Sequence, residues 1–293
     1  MTSIPVAQAL LHKLNFLDGD GVSHRRVVER KFLVDFDSDL SWPDLPYATA
    51  SPSSRYADDA RPSILRTLDD ADRIFSARAP AAWAFIDEHL DRAMIRRSDA
   101  VAGASSSSNR ELIGVCLLTN LHLADDPVSV SVEALVHETI HQYLYRTEQQ
   151  SGNFCDLGDR GRYRSPWSGN RIPLHSLVHA SLVWYGLLTL WCQLAQSFAD
   201  DKEAVIVRNR VAPTLFGFSF VRQLIAAPTF PRAGVQPGII ELIDRLAAVA
   251  AAAKFPDDVN LPLGRSLRMF EDGGWISRLK DSLQRIEKGV DRR

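Results

Sequence analysis

Cysteine is scarce in this chain. Three occur among 293 residues, Cys116, Cys155 and Cys192. They are odd in number and widely spaced, which argues against a disulfide framework, and no two pair at the spacing of a structural metal site. An excess of charge of one sign is also lacking: 34 Lys and Arg face 36 Asp and Glu, for a formal net charge of −2. No concentrated basic surface of the kind nucleic acids need is therefore expected. The opening residues, MTSIPVAQALLHKLNFLDGDG, have no basic stretch leading into a long apolar run, so no signal peptide is expected. With the sparse cysteines this points to the cytoplasm. Long uncharged runs are rare, with one exception at 172–195, IPLHSLVHASLVWYGLLTLWCQLA. Its length nears that of a membrane span. His175, Ser176, His179, Ser181 and Gln193 interrupt it, and a buried core helix is the expected outcome, with no membrane partner.

What is present is ordinary for a globular protein, with 45% hydrophobic and 24% charged residues. The length allows one large domain or two small ones; the expectation is one domain, 1–293, with a weak subdivision near 100–110. Residues 5–18 read as a short amphipathic helix. Residues 38–63, rich in Pro, Ser and Asp, read as irregular. Apolar and charged positions alternate at helical spacing over 64–98. AGASSSSNRE (102–111) reads as a flexible loop, and LIGVCLLTNLHL (112–123) as one or two strands. Further helices are expected at about 173–197, 202–225, 237–254 and 274–289, with 153–170 as a loop.

The stretch ALVHETIHQYLY (134–145) carries His137-Glu138-Thr139-Ile140-His141, an HExxH. The helix holding it should start near Ser129 or Ser131 and end near Gln150. Residues four apart share a helix face, so His137 and His141 can bind one ion. Val132, Leu135, Val136, Ile140 and Tyr143 supply the apolar surface that docks the helix. Two histidines do not complete a site. A zinc peptidase needs a third ligand and an open position for water. The HExxHxxGxxH solution is absent, since Leu144 stands at its glycine and Arg146 or Thr147 in the region of its last histidine. Downstream, HSLVH places His175 and His179 four apart, and one of them is the candidate third ligand, the other lining the pocket. The loop between carries Arg160, Arg162, Arg164 and Arg171. An arginine there suits a bidentate grip on a carboxylate, of a peptide or of a dicarboxylate cosubstrate.

Together, ALVHETIHQYLY and YRSPWSGNRIPLHSLVHASLVW (163–184) resemble the HExxH-type peptide-modification proteins of ribosomal peptide natural-product pathways. The likeness rests on Ser165-Pro166-Trp167, Arg171-Ile172-Pro173 and His179-Ala180 after the HExxH helix, and spans roughly 110–195. Here an isoleucine separates the arginine from the proline. The resemblance implies an oxygenase dependent on Fe(II), α-ketoglutarate and O2 that hydroxylates a side chain of a precursor peptide, at Cβ. It implies His137, His141 and His179 as metal ligands, and Arg171, with Arg164 as the other choice, as cosubstrate-binding residues. Glu138 would hydrogen-bond a ligand, position substrate or act as a base. The alternative is a zinc metallopeptidase with Glu138 as general base; a third reading is a helical binding protein with incidental histidines.

The expected fold is mainly α, a helical domain with a small β element at 110–125 and the HExxH helix packed on the long apolar helix. Strand patterns are too few for the double-stranded β-helix barrel used by most α-ketoglutarate enzymes.

Overall fold

A computed structural model describes residues 3–14, 31–38, 40, 42, 55–159, 162–197 and 201–252. Among them the protein is mainly helical, with seven α-helices and a small open sheet that does not close into a barrel. The chain forms two compact units. One comprises Met1–Asn15 with Ser151–Arg293, and the other Phe16–Gln150. The divisions thus fall at 15/16 and 150/151, whereas the stretch near 100–110 lies inside the second unit.

Helix α1 (Ser3–Leu14) opens the helical unit. The sheet unit then begins with strand β1 (Leu33–Asp35), followed by helices α2 (Arg61–Arg78) and α3 (Pro80–His89). Prolines at the first turns of both helices suit positions whose N–H groups have no helical acceptor. The α2 stripe Ile64, Leu68, Ala71 and Phe75 is fully packed away from solvent, with Phe75 stacked on Trp83 of α3. Residues 92–96 then form strand β2 (Arg92–Arg96), where a continuing helix is expected from sequence. The reason is tertiary. Ala93 and Met94 lie between parallel neighbours on both sides, Ile95 pairs with β4, and all three are buried although they face both sides of the sheet, so no alternating pattern marks them.

AGASSSSNRE likewise departs from expectation. Its four serines form strand β3 (Ser105–Ser108), antiparallel to β4 (Val115–Thr119). The sheet order is β1-β2-β4-β3, leaving β3 at an edge. Asn120, in the left-handed region at φ 55°, ends β4. Its side-chain amide donates to Ser98 O and Val101 O and accepts from Ser98 N, which fixes the turn leading into β3. The guanidinium of Arg96 is buried and donates to the carbonyls of Asp35, Phe36, Ile95 and Ser38, fastening the end of β1 to β2.

Helix α4 (Pro127–Ser151) carries the HExxH. It begins two to four residues before the expected serines. Asp126 Oδ1 accepts from Ser129 N at 3.2 Å and Pro127 occupies the first turn, an Asp-Pro start that the serines obscured.

The rest of the helical unit contains a two-residue hairpin, β5 (Tyr163–Arg164) and β6 (Arg171–Ile172), within the expected loop, then α5 (Leu174–Ser197), α6 (Asp201–Ala226) and α7 (Pro237–Ala252). In this unit α5 packs on α1, α6 and α7. Leu174–Leu194 is long and apolar enough to cross a membrane by length and composition, but 78% of that window is buried inside the protein. The expected helix at 274–289, the continuation of the first helix past Leu14, Arg160 and most of 39–54 lie outside the described residues.

The Ser165-Pro166-Trp167 motif has a structural job in this chain. Ser165 Oγ accepts from the backbone N of Trp167 and Ser168, forming a tight turn. The Trp167 ring stacks on Trp184 of α5 at 5.7 Å, meets Phe218 of α6 edge-on, and donates through Nε1 to Thr214 O. Gly217 makes this possible: a Cβ there would lie 1.9 Å from Trp167 Nε1. Gly217→Ala is therefore expected to lower stability by about 1–3 kcal/mol, overpacking outweighing the ~1 kcal/mol that alanine gains in a helix. Chemical denaturation checks this; a variant at least as stable as the parent would contradict it.

Candidate metal site

The i, i+4 spacing has the geometric result the sequence implies. The rings of His137 and His141 lie 5.1 Å apart on one face of α4, and Tyr145, four residues on, stacks on His141 at 5.9 Å. Both histidines are half-buried. Around the rest of the helix Val132, Leu135, Val136, Ile140 and Leu144 are buried. Ligand atoms of His137, Glu138 and His141 all fall within 4.8 Å of one another. Two imidazoles and a nearby carboxylate form a donor set that fits zinc or iron.

Glu138 is turned away from solvent, only 2% exposed. One of its oxygens accepts from Ser106 Oγ at 2.6 Å and the other from Ser108 Oγ. Its Oε1 is 4.0 Å from His137 Nε2. Successive odd or even residues of a strand share a face, so two serines of β3 reach the same carboxylate. This pair is missing from the sequence reading, because four serines in a row carry no strand pattern and have low strand preference. Behind the site, burial and then the charge of Glu138 push the Cys116 thiol of β4 well above its ordinary range, which keeps it protonated and out of the chemistry.

Gln142 is the second residue that sequence reasoning missed. It is buried next to His141, accepts from Gly114 N at 2.8 Å and donates to Val115 O at 2.8 Å. These bonds tie the middle of α4 to the start of β4, and so hold the histidine face in register with the sheet.

The remaining candidate residues belong to the helical unit. His175 and His179 sit on the first turns of α5 with ring centroids 4.1 Å apart; His179 is buried and also faces Phe154 at 5.9 Å. Arg164 and Arg171 are directly opposed across the β5–β6 hairpin. Arg171 is exposed. Arg164 is half-buried, with Nη1 donating to Gly169 O at 2.8 Å and a buried Nε that has no hydrogen-bond partner among the described residues. The structure thus groups His137, Glu138 and His141 in one unit, and His175 with His179 and Arg164 with Arg171 in the other. A role for His179 beside the first pair rests on the sequence pattern. No protein-family model matches the chain, and comparison with curated proteins finds no match.

Proposed function

We propose that this protein is an Fe(II)- and α-ketoglutarate-dependent oxygenase of the cytoplasm that hydroxylates a side chain, at Cβ, of a ribosomally made precursor peptide. The observation that carries the reading is the pair of imidazoles on one face of α4 beside a glutamate whose two oxygens each accept a hydrogen bond from a serine of β3. A hydrolase needs that glutamate to handle the proton of an attacking water. An oxygenase needs ligands on one side of the ion and no such base. His137 and His141 are two ligands in this reading, and His179, from the sequence pattern, is the third.

Bound Fe(II) would supply the redox chemistry, in which O2 and α-ketoglutarate give succinate and CO2 while one oxygen atom enters the peptide C–H bond. The chain's own task is to orient cosubstrate and peptide. The hairpin arginines fit the first part. Directly opposed residues of an antiparallel pair project to one face, so Arg164 and Arg171 can converge on one anion. A dicarboxylate's far carboxylate is such an anion, and guanidinium matches it in shape.

One observation favours a second reading, a zinc metallopeptidase: the Glu138 carboxylate is within 4.8 Å of both histidine donors. Cosubstrate dependence separates the two. Arg171→Ala is expected to leave metal content intact while raising the α-ketoglutarate requirement at least ~10-fold, equivalent to about 1.4 kcal/mol. Succinate release measured against α-ketoglutarate concentration checks this. An unchanged requirement in Arg171→Ala with a large rise in Arg164→Ala would move the role to Arg164. No change in either would remove the hairpin from the site.

A further inference from the structure

We infer that the outer edge of β3 binds an extended peptide as an added antiparallel or parallel strand, laid alongside Glu138. The direction of the backbone groups follows from the sheet. Asn120 N donates to Arg96 O and Arg92 N donates to Gly114 O, so the even-numbered residues of β4 face β2. Leu117 and Thr119 therefore face β3, where they are paired with Ser107 and Ser105. Ser106 and Ser108 are left with their N–H and C=O groups pointing away from β4. Among the described residues no strand pairs with that edge.

The edge is also undefended. Exposed edges are normally blunted by lysine, proline or a bulge. β3 has none of these: it is four uncharged, small, half-buried serines in regular register with β4. Its two outward donors and two outward acceptors match the backbone of an extended peptide and no other common ligand. The same two residues send their hydroxyls to Glu138. Backbone recognition at the edge is thereby coupled through one residue to the HExxH helix, and a strand at the usual spacing of about 4.8 Å would run past it. Recognition by main chain alone suits a protein that must accept a peptide segment whatever its side chains. That the occupant is a substrate rests on the peptide-modifying reading above; strand binding does not.

The test is a binding measurement, so absence of turnover leaves it interpretable. The full-length chain is used to select from a display library of random decapeptides, and the tightest binder is synthesised and N-methylated at each backbone position in turn. Methylation at two positions, two residues apart, is expected to weaken binding ~10-fold and at the position between them to leave it unchanged. Ser106→Pro, which deletes the outward N–H at a place where edge strands tolerate proline, should weaken binding ~10-fold relative to Ser106→Ala, which keeps it. Hydrogen exchange at Ser106 and Ser108 of the unmutated chain should slow on peptide addition, a readout that holds even if the proline variant does not fold. Retention of no decapeptide, a pattern without alternation, or unchanged exchange at both serines would overturn the inference. So would full protection of both amides before peptide is added, since the chain would then cover this edge itself.

Discussion

His137→Ala and His141→Ala are each expected to lower metal affinity by at least ~100-fold and to abolish turnover. The magnitude follows from what each imidazole contributes. Loss of an outer residue that merely orients a metal ligand costs 10–100-fold in affinity, and loss of the ligand itself costs more. The two rings occupy one face of α4, 5.1 Å apart; Tyr145, stacked on His141, is a poor ligand for either ion, and the Glu138 carboxylate alone does not replace an imidazole. Folding should survive, because both histidines are only half-buried and the helix docks through the buried Val132, Leu135, Val136, Ile140 and Leu144. Metal content by elemental analysis, with circular dichroism as the folding control, checks the result. Full metal loading in either variant would show that this face is not the site. His179→Ala belongs to the same series; full loading there would transfer the third position to His175.

Gln142→Leu is expected to have the largest effect on stability among single changes near the site. The side chain is buried and satisfies two backbone groups at the start of β4, Gly114 N and Val115 O. Leucine fills similar space but leaves both groups without a partner. Each unsatisfied buried group costs about 1–3 kcal/mol, so the total is roughly 2–6 kcal/mol, a large part of the ~5–15 kcal/mol that holds a typical domain folded. At roughly 2–4 °C per kcal/mol for a chain of this size, the melting point should fall by about 4–24 °C. A fall under about 2 °C would mean that the helix and the sheet are fastened by other means. Metal affinity should drop with stability, since Gln142 is adjacent to His141 and sets its register.

The helices were legible in the sequence and the strands largely were not, for a physical reason. Amphipathic helices such as α2 and α4 advertise one apolar face at 3.6-residue spacing, and α4 to α7 begin and end within a few residues of their expected bounds. The long uncharged helix also read correctly as a core element. Strand β2 is apolar on both faces, so nothing distinguished Ala93-Met94-Ile95 from one more helical turn. Strand β3 exists through its pairing with β4, since serines have little preference for strands of their own. At the site, the i, i+4 histidines were readable because helix geometry is local. The partners of Glu138 were not, because Ser106 and Ser108 lie about thirty residues away and meet it only through the sheet. Trp167 shows the reverse. The motif that carries the family likeness was visible, yet its docking against Gly217, fifty residues on, could be found only in the folded chain.

The central claim, oxygen insertion into a peptide, is tested most directly by mass spectrometry. The chain would be incubated with Fe(II), α-ketoglutarate and O2 and with each short peptide encoded beside its gene, and succinate measured in the same reaction. The account predicts a mass gain of one oxygen on one peptide, matched one to one by succinate and absent with zinc. Peptide fragments formed with zinc, with no added oxygen and no succinate, would contradict it.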